Sequence, residues 1–165
     1  IATANNRDKG VNELSSALKR RFNVVVLPLP EDMAEEVAIV SKRVDEMAGG
    51  LDLPVPKNVG EEIARVLTIF RELRSGATSD GKVTLKTPSG SLSTAEAIAT
   101  MVGGLRQAAW FDSGKLGAEG LAASLVGAII KDPVQDKVVL EEYLETVLKK
   151  RPDYAAYYAA LNAAI

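Results

Sequence analysis

Three polar side chains near the start of the chain have the types and spacing to act on a phosphoryl group: Asn5, Arg20 and Arg21. An amide at Asn5 can orient a water without changing the local charge. This suits a reaction whose catalysis is mostly positioning and electrostatics. The guanidinium groups of Arg20 and Arg21 carry fixed positive charge and planar donors that can reach an anion on another molecule. Each also has a plainer reading. An asparagine in the polar run Asn5-Asn6-Arg7-Asp8-Lys9-Gly10 is a good turn former, and a basic pair closing a helix complements its dipole.

These residues need elements to hold them. Ile1-Ala2-Thr3 is a β-type run, and Val11, Leu14 and Leu18 recur at helical spacing up to about Lys19. Phe22 to Leu27 is apolar on both alternating faces, as in a strand buried between layers, and Pro28 and Pro30 end it. Asn5 would then sit at the C-terminal end of a buried strand, where open α/β sheets bind ligands. The chain begins directly in a strand at Ile1, so the strand is expected to continue something upstream.

From Glu31 the pattern turns helical, and a domain boundary is expected near Pro30. Met33, Val37, Val40, Val44 and Met47 mark one face, closed by Gly49-Gly50. Asn58 with Glu61 resembles a cap for a helix carrying Ile63, Val66, Leu67, Phe70 and Leu73 and ending before Gly76. Lys82 to Lys86 reads as a short strand. Ser93-Thr94-Ala95-Glu96 is a capping-box pattern opening a helix through Ile98, Met101, Val102 and Leu105. Gly103-Gly104 inside it is unfavourable by about 1 kcal/mol per glycine relative to alanine, which points to close packing. Helices are expected over about Gly117 to Lys131 and Gln135 to Lys150, split by Asp132-Pro133, with a last one from Tyr154 to Ile165. Trp110-Phe111 reads as a buried pair or a partner anchor. Tyr154, Tyr157 and Tyr158 read as packing on a partner or on a part of a longer protein outside this chain, and Lys149-Lys150-Arg151 as a charged helix end or a small basic contact.

Composition narrows the chemistry. The 165 residues include no cysteine and no histidine, which excludes disulfides, thiolate zinc sites and histidine bases. A net charge of −2 gives no general attraction to nucleic acid, which is therefore not expected as a partner. No apolar run approaches the roughly 20 residues of a membrane helix. A cytoplasmic location is expected.

The order I-A-T-x-N, short helix, A-L-x-R-R-F and a strand ending in proline resembles the end of the core of an AAA+ ATPase, and is most similar to the MoxR-like group. The resemblance implies that Asn5 is sensor 1, near the γ-phosphate of ATP. It implies that Arg21, before Phe22, is an arginine finger acting in trans on the neighbouring subunit of a ring, a hexamer, with Arg20 as the second candidate. The fold class implied is mainly α: residues 1–30 a remnant of an α/β core (two strands and a short helix), 31–150 a helical lid and 151–165 a helical extension. A sensor 2 arginine is expected where Ala95 or Glu96 stands, so that element is either absent or supplied from elsewhere, for instance by Arg106. No G-x-x-x-x-G-K-[ST] run and no strand ending in paired acids occurs. ATP and Mg2+ would thus be held mainly by residues outside this chain. The implied activity is ATP hydrolysis that remodels a protein client, with a von Willebrand A-type domain as the implied partner. A helical protein-interaction or nucleic-acid-binding module without ATPase function, and a hydrolysis-deficient AAA+ scaffold, stay open beside it.

Overall fold

The computed structural model describes residues 15–23, 25 and 29–165. Among them the elements are all helical: α1 (Ser16–Lys19), α2 (Met33–Gly50), α3 (Val59–Ser75), α4 (Thr94–Phe111), α5 (Ala118–Ile129), α6 (Gln135–Thr146) and α7 (Ala155–Ala164). Two 3-10 turns, Leu148–Lys150 and Pro152–Tyr154, connect α6 to α7. The mainly helical expectation therefore holds. The two core strands are not supported: Ile1–Thr3 lies outside the described residues, as does part of Phe22–Leu27, and the described Phe22, Asn23 and Val25 are not in a strand. A strand buried between layers pairs its N–H and C=O groups with neighbouring strands, and the described residues contain none. Lys82–Lys86 is likewise no strand. Its ladder contact among the described residues is one antiparallel bridge between Ala77 and Thr84.

Helix ends follow local chemistry. The Asp32 carboxylate accepts from the Ala34 N–H at 3.1 Å and caps α2. At α4 the capping box forms in both directions, with Ser93 Oγ accepting from the Glu96 N–H and the Glu96 carboxylate accepting from the Ser93 N–H at 2.7 Å. Gly76 ends α3 at φ 71°, in the left-handed region that favours glycine. Asn58 does stand at the N-terminus of α3, but its side chain makes no cap. Its Nδ2 instead donates to the Leu116 carbonyl at 2.9 Å and ties α3 to the loop before α5.

One core runs through the bundle, and α2, α3 and α5 all pack on α4. Gly103 and Gly104 lie against α5: a Cβ on Gly103 would meet the Ser124 side chain, and one on Gly104 would overlap Leu121. Close approach is thus the reason for both glycines. Tyr157 and Leu161 of α7 bury into the same core. One expected face and one expected helix end shift: on α2 the buried stripe is Glu36, Val40, Val44 and Ala48, leaving Met47 exposed, and the helix expected to reach Lys150 breaks after Thr146. Trp110 and Phe111 are 69% and 72% exposed, so the aromatic pair is not core. No described helix is long and apolar enough to cross a membrane.

Candidate functional site

Arg20 and Arg21 follow the single turn of α1, with the Arg20 N–H donating to the Ser16 carbonyl at 3.2 Å. Both side chains are exposed, as is Phe22 beside them. Neither guanidinium is engaged by a carboxylate among the described residues. Asn5 lies outside those residues, so its relation to the arginine pair is not part of the geometry. Arg106 is exposed on α4, and Glu96 is committed to the capping box.

Where the chain enters the bundle, one buried carboxylate gathers four elements. Glu36 is fully buried on α2. Its Oε2 accepts from Arg71 Nη1 at 2.8 Å and Arg74 Nη2 at 3.2 Å, and its Oε1 accepts from Thr94 Oγ1 at 2.9 Å. Burial alone would push this carboxyl up. The hydrogen bonds from Arg74, Arg71 and Thr94 outweigh burial and hold it below its ordinary range. Arg71 also donates through Nη1 to the Pro30 carbonyl at 3.3 Å and through Nη2 to the Glu31 carbonyl at 2.5 Å. Arg74 donates to the Leu92 carbonyl at 2.9 Å, just before the α4 cap. The node joins the entering chain, α2, α3 and α4. Sequence reasoning missed it, although the signal was present: Glu36 stands four residues before Val40 in an otherwise apolar stripe.

Two further acids are spent in the same manner. Asp136 accepts from the N–H groups of Ser89, Lys131 and Asp132 and from Ser89 Oγ, at 2.7–2.8 Å. Glu72 accepts from Arg151, Tyr143 and Ser79. Burial raises both carboxyls and their hydrogen bonds overcome it, so both are lowered. Tyr143 is pushed far up by burial and by Glu72, and Tyr157 by burial and by Glu62, to which its hydroxyl donates. Arg151 is thus an internal partner, while Lys149 pairs with Glu145 on α6. Tyr158 donates to that same Glu145, so the tyrosines pack on this chain.

One segment comes close to a phosphate-binding loop in sequence. Gly76 to Lys82 spells glycine, four residues, glycine and lysine, but Val83 stands where the hydroxyl residue belongs. The segment follows a helix rather than a strand. The N–H groups of Ala77, Thr78, Ser79, Gly81, Lys82 and Val83 all donate within the chain. Asp80 is held down to about 2 by the Thr78 hydroxyl and the Lys82 N–H. With its donors used and a carboxylate at its centre, the loop cannot cradle a phosphate.

No buried side-chain polar atom among the described residues lacks a partner. Nor do three or more acidic side chains gather there as metal ligands. Chemically, they form a tied helical scaffold with a free basic pair at its entrance.

An all-helical bundle, among the described residues, that receives its chain through a buried ion-pair node defines the class: a helical domain. The family profile described as YehL-like AAA+ ATPase C-terminal domain matches residues 34–159, from the first turn of α2 into α7. The chain belongs to that family. It is similar to an uncharacterized protein, YehL, of Escherichia coli strain K12, at 36% identity over 164 residues and 97% of this chain. The chain spans 44% of the length of that relative. No solved structure matches.

Proposed function

We propose that this chain is the sensor, finger and lid portion of a MoxR-like AAA+ ATPase, and that Arg21 acts in trans on ATP held by an adjacent subunit of a ring, a hexamer. The observation that carries the reading is the exposed Arg20–Arg21 pair, which no carboxylate among the described residues engages, at the entrance of a domain of an AAA+ ATPase family. A guanidinium delivered to the γ-phosphate offsets the charge that spreads over the transferring oxygens. Arginine fingers contribute roughly 10³–10⁵ in rate. Asn5 orients the attacking water in this reading, and Arg20 is the alternative finger. The ring remodels a protein client, a von Willebrand A-type domain, in the cytoplasm.

ATP turnover by the longer protein that contains this chain is the test, measured beside Arg21→Ala, Arg20→Ala and Asn5→Ala. Loss of turnover in Arg21→Ala supports the assignment. Wild-type turnover in that variant with loss in Arg20→Ala moves the finger by one residue. Turnover in both sinks the finger.

A second reading, a hydrolysis-deficient scaffold, is favoured by one observation: Glu96, where a lid arginine is expected, is used as the helix cap. ATP binding without turnover in the wild type would select it.

A further inference from the structure

The finger reading leaves open what aims the arginine pair. Arg21 lies ten residues before Glu31, so the direction in which its segment leaves the helical domain bears on where its guanidinium can reach. A misplacement of about 1 Å can reduce rate about a hundredfold. That direction is held where the chain meets the bundle. Arg71 is the side chain that grips it there.

One edge of the Arg71 guanidinium donates to Glu36 Oε2 at 2.8 Å. The same group donates to two successive main-chain carbonyls, Pro30 at 3.3 Å and Glu31 at 2.5 Å. Glu36 is fixed from the other side by Arg74 and Thr94, so the guanidinium is anchored before it reaches the entering chain. Two adjacent carbonyls held from one rigid plane restrict the peptide's direction as well as its position. A pair that served only to neutralise Glu36 would need neither carbonyl, because Arg74 already supplies a charge. We propose that Arg71 is a positioning residue: backed by Glu36, it clamps the Pro30–Glu31 peptide and sets the angle at which the segment bearing Arg20 and Arg21 leaves the helical domain.

This inference rests on the ATPase reading, and its test separates the two. The longer protein is assayed for ATP turnover as wild type, Arg71→Ala, Arg71→Lys and the surface control Arg43→Ala. The 165-residue chain supplies carbonyl 13C NMR signals of Pro30 and Glu31. The expected result is a kcat lower by about tenfold or more in both Arg71 variants, with KM for ATP within about twofold, unchanged kinetics in Arg43→Ala, and both carbonyl signals shifted. Lysine keeps the charge but cannot reach the carboxylate and two carbonyls together, so Arg71→Lys carries the test if Arg71→Ala folds poorly. Shifted carbonyl signals with wild-type kcat overturn the positioning role and leave the ATPase reading intact. Unshifted signals in either folded variant overturn the clamp, as does a raised KM with kcat preserved. No turnover in the wild-type protein sinks the ATPase reading and this role with it.

Discussion

Arg151 meets Glu72 with both ends of its guanidinium, Nη2 to Oε1 at 2.8 Å and Nη1 to Oε2 at 3.0 Å. The arginine stands just before the turn that leads into α7, and the carboxylate is buried on α3. This pair fastens the last helix to the middle of the bundle. Removing the arginine strands a buried charge, which costs about 3 kcal/mol. Arg151→Ala is therefore expected to lower the unfolding free energy by about that amount in urea denaturation, and Arg151→Lys to recover only part of it, since an ammonium cannot match two carboxylate oxygens. A loss no greater than that of the exposed variant Lys149→Ala would show that the pair does not fasten α7.

Acid sensitivity follows from the same chemistry. Glu36, Glu72 and Asp136 titrate below their ordinary range in the folded chain, because hydrogen bonds to the charged form overcome burial. The unfolded chain, whose carboxyls titrate near about 4, binds protons first as pH falls. Stability is then complete above that value and declines as pH drops through the folded values. Urea midpoints measured from neutrality to about pH 3 should fall steeply below pH 4. In Asp136→Asn the slope over that range should flatten, alongside a lower stability at neutral pH, because the amide cannot accept from all of Ser89, Lys131 and Asp132. An unchanged slope would remove Asp136 from the acid response.

Much of the bundle was legible because its signals are local. Ser93 and Glu96 cap α4 through atoms three residues apart, and Gly76 ends α3 where a left-handed residue is required. The periodicity of Ile63, Val66, Leu67, Phe70 and Leu73 finds the buried face of α3. What could not be read is what depends on distant partners. Glu36 looks like an exposed acid in a first helical turn until Arg71 and Arg74 arrive from α3. Met47 fits the apolar spacing of α2, yet the real stripe is rotated to put Ala48 inward. The strand over Phe22–Leu27 depends on neighbours to pair with, which periodicity does not supply. Arg20 and Arg21 were found by a motif, and their exposure fits a role toward another molecule without assigning one.

The two adjacent glycines of α4 give a prediction of opposite sign to the usual one. Alanine normally stabilises a helix interior by about 1 kcal/mol over glycine. A Cβ at position 104 overlaps Leu121, and Leu116 closes the other side. Overpacking of this kind destabilises by about 1–3 kcal/mol, so Gly104→Ala should lower the denaturation midpoint. Gly127, exposed on α5 with open space at its Cβ, is the matched control. Gly127→Ala should raise the midpoint. A stabilised Gly104→Ala would mean that α4 and α5 pack less closely than the structure has them.

Trp110 offers the simplest optical check on the arrangement, since it is the single tryptophan of the chain. An indole buried in the core would emit at short wavelength and resist quenching by acrylamide. At 69% exposure it should emit as a solvated indole and be quenched efficiently, with little change on unfolding. Deletion of its contacts should cost little, and Trp110→Ser is expected to stay within about 0.5 kcal/mol of the wild type. A tryptophan in the core would instead cost about 3–5 kcal/mol on truncation. Emission, quenching and stability each separate the two positions, and a blue-shifted, quencher-resistant signal together with a large loss would place the end of α4 inside the protein.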